Sequence, residues 1–117
     1  MNILIVDDSP FARLQLRAML EEHGHSVIGE AEDAPSACTR YLELKPDVMT
    51  LDMVMPGGGG LHVLMALQVT EPSPRIVVVS SLNEESMAPV KELGVRHILH
   101  KPVAWPQLEQ ALEELSR

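Results

Sequence analysis

Five short apolar runs, each followed by a longer segment of helical periodicity, constrain this chain more than any other feature. The runs cover residues 3–6, 26–30, 48–51, 76–79 and 97–99. Three of them, Ile3 to Val6, Val48 to Leu51 and Ile76 to Val79, are unbroken stretches of apolar and β-branched residues. A strand with one wet face alternates, whereas a strand covered on both faces does not. These three therefore read as the buried centre of a sheet.

Between the first two runs Leu14, Leu16, Met19 and Leu20 recur at helical spacing, with Ser9 as N-cap, Pro10 in the first helical position and Gly24 as the stop. Further helices are predicted over about residues 34–44, 61–69, 84–93 and 106–115. Lys45-Pro46 ends the second of these five helices, and the third stops before Pro72 and Pro74. Strands joined by helical crossovers pair in parallel through right-handed connections. The prediction is a doubly wound, flavodoxin-like α/β fold with five strands in the order 2-1-3-4-5 and five helices. At 117 residues this is a single domain, residues 1–117, without room for a second catalytic or DNA-reading unit.

Composition narrows the partners. Aromatic residues make up only 3% of the chain against 45% apolar, so the core is aliphatic. A formal charge of -8, with Lys and Arg scattered, disfavours direct binding of nucleic acid. Cys38 is the only cysteine, which excludes an internal disulfide and a thiolate metal cluster, and it reads as a small core residue. No apolar stretch approaches the roughly 20 residues of a membrane span, and the start lacks the basic region of a signal peptide. The expected location is the cytoplasm, without membrane insertion.

Open sheets of this kind place chemistry at the carboxyl ends of their strands. Following the runs stand Asp7-Asp8, Asp52, Ser80-Ser81 and His100-Lys101-Pro102. The first and third strands are neighbours in the predicted order, so Asp7, Asp8 and Asp52 converge. Carboxylates held together repel, and Mg²⁺ with oxygen ligands is the usual resolution. Lys101 adds a point charge and Ser80 a hydroxyl. Together these supply a nucleophile, a metal, a cation and a donor for phosphoryl transfer to a carboxylate. Asp52 is the central candidate nucleophile, and needs no base because it is already ionised at neutral pH.

The segments Val6-Asp7-Asp8-Ser9, Leu51-Asp52-Met53-Val54-Met55-Pro56, Gly60, Val79-Ser80-Ser81, Gly94 and Lys101-Pro102 resemble, in order and spacing, the CheY-like receiver domains of two-component response regulators. The resemblance covers essentially the whole chain. It implies phosphorylation of Asp52 by the phosphohistidine of a sensor histidine kinase or phosphotransfer protein. Mg²⁺ would be held directly by Asp8, Asp52 and the Val54 carbonyl, and by Asp7 mainly through water. Lys101 would touch the phosphoryl group, and the Lys101-Pro102 bond would be cis. Movement of Ser80 would reshape the face of the fourth helix, fifth strand and fifth helix for a downstream effector protein. Such a domain is a switch, and an enzyme only toward its own phosphorylation and dephosphorylation.

Three departures from the family pattern stand out. Ile98 occupies the position, three before Lys101, where an aromatic side chain usually swings inward, which leaves Ser80 to switch alone. Gly57 to Gly60 replaces a bulky and an acidic residue, removes an N-cap from the third helix and adds an ordering entropy of about 0.5–1 kcal/mol per glycine relative to Ala. Val54 and Leu82 are apolar where polar side chains orient attacking water, which predicts a long-lived phosphoryl group. Trp105 reads either as an exposed anchor for the output partner or as a cover for the end of the core.

The five histidines do not read as a metal site, since His23 and His25 straddle Gly24 while His97 and His100 point to opposite sides of a strand. An aspartyl-phosphate phosphatase of the haloacid dehalogenase kind shares Asp, Mg²⁺, Ser and Lys, but wants a second acid where Val54 stands. Ser80-Ser81-Leu82 also resembles the receiver of the chemotaxis methylesterase, so a fragment of such a larger regulator is a further reading.

Overall fold

A computed structural model describes residues 1–70 and 74–117. Five strands, β1 (Asn2–Val6), β2 (Ser26–Ala31), β3 (Val48–Leu51), β4 (Ile76–Ser80) and β5 (His97–His100), alternate with α1 (Pro10–Glu22), α2 (Ala34–Leu44), α3 (Gly59–Thr70), α4 (Ala88–Glu92) and α5 (Trp105–Leu115). All strand pairs are parallel and their order is β2-β1-β3-β4-β5, as predicted. Pro72, read as a stop for the third helix, lies outside the described residues.

Strand alternation divides the apolar residues between two layers. Ile3, Ile5, Val48, Val77 and Val79 pack on Leu16 and Leu20 of α1 and on Leu108 and Leu112 of α5. Leu4, Val6, Met49, Leu51 and Val78 face Ala37, Tyr41, Val63, Leu64, Leu67 and Val90 on the other side. Both faces of β1, β3 and β4 are thus covered, which explains their unbroken apolar runs.

Local chemistry sets the helix ends. Ser9 caps α1, its Oγ accepting from the Ala12 amide at 3.2 Å, and Gly24 follows the helix at φ +87°. Asp33 caps α2 by accepting from the Ser36 amide at 2.8 Å, and Lys45 ends it in the left-handed region.

Two helices depart from the predicted bounds. α4 spans only Ala88–Glu92, whereas a helix over about 84–93 was expected. Pro89 has no amide hydrogen to donate to Glu85, so it stands in the first turn of the helix, and residues 84–87 form turns instead, with Asn83 Oδ1 accepting from the Ser86 amide. α3 begins two residues early, at Gly59, because the Gly60 amide donates to the Met53 carbonyl at 3.1 Å. A Cβ on Gly60 would stand 2.6 Å from the Asp52 carbonyl oxygen, and one on Gly59 would stand 2.8 Å from that of Met53. The glycine run therefore lets α3 press against the backbone that carries Asp52.

Candidate phosphoryl-acceptor and metal site

Pairing between strands continues past their last apolar residues and brings the acidic residues together. Val6 lies opposite Leu51, the Asp52 amide donates to the Val6 carbonyl at 2.9 Å, and the Asp7 amide donates to Ala31 at 3.0 Å. Across the sheet the Lys101 amide donates to the Ser80 carbonyl at 3.0 Å. Ser80 and His100 are themselves the last residues of β4 and β5, one residue beyond their predicted ends.

The resulting geometry joins four predicted residues. Carboxylate oxygens of Asp7, Asp8 and Asp52 lie within 4.8 Å of one another. Asp7 and Asp52 are buried and Asp8 is exposed, so the cluster opens to solvent on the Asp8 side. Lys101 reaches in from the far strand, its Nζ 2.7 Å from Asp7 Oδ2 and 3.8 Å from Asp52 Oδ2. It thus forms its hydrogen bond with Asp7 and only a longer ionic contact with Asp52. The Lys101-Pro102 peptide bond is cis.

Asp7 is held on every side: Oδ1 accepts from the Ser9 amide at 2.9 Å, Oδ2 from Lys101, and its carbonyl from Arg13 Nη1 at 2.6 Å. Asp52 has fewer partners, with a 3.4 Å contact from the Val54 amide to Oδ1. Burial pushes its pKa above the ordinary aspartate value and repulsion from Asp7 adds to the rise, while Lys101 and the Val54 amide oppose it. A divalent cation would remove that repulsion. The donors are hard carboxylate oxygens, open on one side to water, and they fit Mg²⁺.

The other predicted residues lie around this centre. Ser80 is fully buried and its Oγ accepts from the Leu82 amide at 3.2 Å. Val54 is exposed at the rim, while Leu82 is partly buried and packs against the core. Ile98 pairs with Val78 and belongs to the layer of α2, α3 and α4. Trp105 opens α5, packs on the α1 and α5 layer and stacks on His23 with ring centroids 3.8 Å apart. An open cavity of about 760 Å³ runs from Asp7 and Lys101 along α1 to His23 and Trp105.

His23 and His25 both flank Trp105. His97 faces Glu114 of α5 at 3.5 Å and His100 faces Glu84 at 3.2 Å, on opposite sides of the sheet. Burial raises the Cys38 thiol pKa, which lowers its share of reactive thiolate. Arg13 was not singled out by sequence reasoning. The signal for it is faint: two arginines four apart on α1, Arg13 and Arg17, with Glu30 on a neighbouring strand.

Comparison with known proteins agrees with this arrangement. The family model for the response regulator receiver domain matches residues 3–113. The chain is 31% identical to the chemotaxis protein CheY of Thermotoga maritima over 117 residues, covering 99% of this chain and 98% of that protein. It is 48% identical over 106 residues to protein-glutamate methylesterase/protein-glutamine glutaminase 5 of Myxococcus xanthus, covering 88% of this chain but spanning only 30% of that protein. Among solved structures, a chain of the CheX-CheY-BeF3-Mg²⁺ complex of Borrelia burgdorferi superimposes with a TM-score of 0.92 at 27% identity, covering 100% of this chain and 90% of that one. The fold and the sequence define a two-component signalling module, and the chain belongs to the response regulator receiver family.

Proposed function

We propose that Asp52 is the phosphoryl acceptor and that Asp7, Asp8 and Asp52, with the Val54 carbonyl, hold Mg²⁺. The observation that carries this reading is the meeting of three carboxylates from two neighbouring strands with one ammonium group from a third. An Asp52 carboxylate oxygen attacks phosphorus, the bond from phosphorus to the donor imidazole nitrogen breaks, and an acyl phosphate forms. The bound ion supplies charge neutralisation between the carboxylates and the incoming phosphoryl oxygens. Lys101 sits within reach of Asp52 and offers its ammonium to those oxygens. Ser80, freed from the Leu82 amide, offers a hydroxyl donor and relays the new state toward α4 and β5.

The donor would be a sensor histidine kinase or phosphotransfer protein and the reader a downstream effector, in the cytoplasm. Among the described residues no helix is long and apolar enough to cross a membrane. Residues 1–117 form the receiver unit in this reading. The likeness to a methylesterase of which the chain spans 30% supports a second possibility, a receiver that belongs to a larger regulator of that kind. Family membership favours either over the phosphatase.

Incubation with acetyl phosphate and Mg²⁺, followed by intact mass, tests the reading. Wild type is expected to gain one phosphoryl group, and Asp52→Ala or chelation of the metal to abolish the gain. Equal labelling of Asp52→Ala would overturn Asp52 as the acceptor.

A further inference from the structure

A chain of charged groups runs from the edge of the sheet into the acidic pocket. Glu30, on β2, pairs with Ile5 in the ladder and carries two arginines of α1. Its Oε1 accepts from Arg13 Nε at 2.8 Å, and its Oε2 accepts from Arg17 Nε at 2.9 Å and Nη2 at 2.6 Å. Arg13 then donates Nη1 to the main-chain carbonyl of Asp7 at 2.6 Å. That carbonyl belongs to the peptide joining Asp7 to Asp8. The preceding peptide is fixed separately, by the Asp7 amide, which donates to Ala31. Asp8 is exposed, so core packing does not fix its direction, and the peptide held by Arg13 does.

We propose that Arg13, braced by Glu30, is a positioning residue that sets the Asp7-Asp8 peptide so that Asp8 and Asp52 can share a divalent cation. The inference rests on the reading that this pocket takes Mg²⁺. Two effects of Arg13 oppose each other. Its positive charge repels a nearby cation, while its fork bonds the Asp7 carbonyl through Nη1 and the Glu30 carboxylate through Nε. Glu30 lies against the guanidinium and offsets part of its field, although it is shared with Arg17, and the Arg13 side chain is only 16% exposed and held by two partners, so in this proposal the geometric effect wins. The sign of the response to mutation therefore separates positioning from simple electrostatics.

The experiment titrates Mg²⁺ into wild type, Arg13→Gln and Arg13→Lys, following the amide resonances of residues 7, 8 and 52, with urea denaturation to show that each variant is folded. Arg13→Gln is expected to weaken Mg²⁺ binding about ten-fold, although loss of a positive charge alone would tighten it. Arg13→Lys keeps the charge and loses the planar fork, and should weaken binding several-fold. Labelling by acetyl phosphate should then need more Mg²⁺ while reaching the wild-type rate at saturation. Unchanged or tighter binding in Arg13→Gln, or in Arg13→Lys should the first not fold, overturns the proposal while the metal reading stands. Absence of saturable Mg²⁺ shifts in wild type would instead overturn the metal reading, and this one with it.

Discussion

Thr50 stands in the middle of β3 between Ile5 and Val77, and its Oγ1 is, among the described residues, the buried side-chain polar atom without a hydrogen-bond partner. A hydroxyl removed from water without a partner costs about 1–3 kcal/mol. Thr50→Val, nearly the same shape, should raise stability by about 1 kcal/mol in urea denaturation. Asp52 poses the ionic version of that problem. Its pKa is raised in the fold, so the folded state holds the proton more tightly than the unfolded chain, and the ionised carboxylate opposes folding when no cation is bound. Asp52→Asn should therefore stabilise the chelator-treated protein at neutral pH by on the order of 1 kcal/mol. The advantage should shrink as pH falls through the raised value, because wild type then sheds the same charge. An advantage that grows toward acid would contradict the assignment. Glu30 has the opposite sign: burial pushes its pKa up, but hydrogen bonds from Arg17 and Arg13 outweigh burial and hold it below the ordinary value. Its contribution is complete above the unfolded value and fades as pH falls through the lowered folded one.

At the scale of elements, the turn after α1 and the junction between β3 and α3 hold two kinds of glycine. Gly24 has φ +87° with nothing within 4 Å of an added Cβ, so Gly24→Ala meets backbone strain alone, about 1 kcal/mol. Gly60→Ala would drive a methyl group to 2.6 Å from the Asp52 carbonyl oxygen, and should lose about 2–3 kcal/mol and slow labelling by acetyl phosphate. Thermal denaturation of both variants, with mass spectrometry of the labelled protein, separates strain from contact. The glycine run was legible in the sequence only as entropy, because close approach depends on where α3 lands. Strand identity was legible from β-branched runs buried on both faces, and the cap at Ser9 acts within three residues of its partner. The length of α4 was not, because its apolar spacing competes with Pro89, whose missing amide wins. Asp7, Asp8 and Asp52 could be placed because the strand order makes neighbours of β1 and β3, and Lys101 because it follows a parallel strand whose carboxyl end lies at the same edge of the sheet. Arg13 could not, since its role depends on a side-chain path through Glu30 that no spacing encodes.

For the molecule as a whole, an ion that binds only the folded pocket stabilises by mass action, about 2.7 kcal/mol at one hundred times its dissociation constant. Wild type should thus rise in thermal stability with Mg²⁺, and Asp52→Asn should respond far less. In the proposed reading Ser80 links the acidic pocket to α4 and β5: its Oγ accepts from the Leu82 amide, and two residues on Glu84 bridges Lys91 of α4 at 2.6 Å and His100 of β5 at 3.2 Å. A Ser80 hydroxyl that turns toward a phosphoryl group must release Leu82. Amide spectra of the phosphorylated protein should accordingly change across residues 80–100, even with Ile98 in place of an aromatic side chain. Identical spectra would leave the switch without a path.

The backbone hydrogen bonds from Asp52 to Val6 and from Lys101 to Ser80 carry one more consequence. The Asp52 donor extends the pairing of β1 with β3 at the centre of the sheet, whereas the Lys101 donor extends β5, an edge strand, so the Asp52 proton should exchange with deuterated solvent the more slowly of the two. Asp52 is thus mounted on the best-covered part of the sheet, whereas Lys101 follows an edge strand and Asp8 lies one step further out than Asp7. Thermal fluctuation should blur the outermost carboxylate first, and the guanidinium beneath its peptide is the group placed to restrain it.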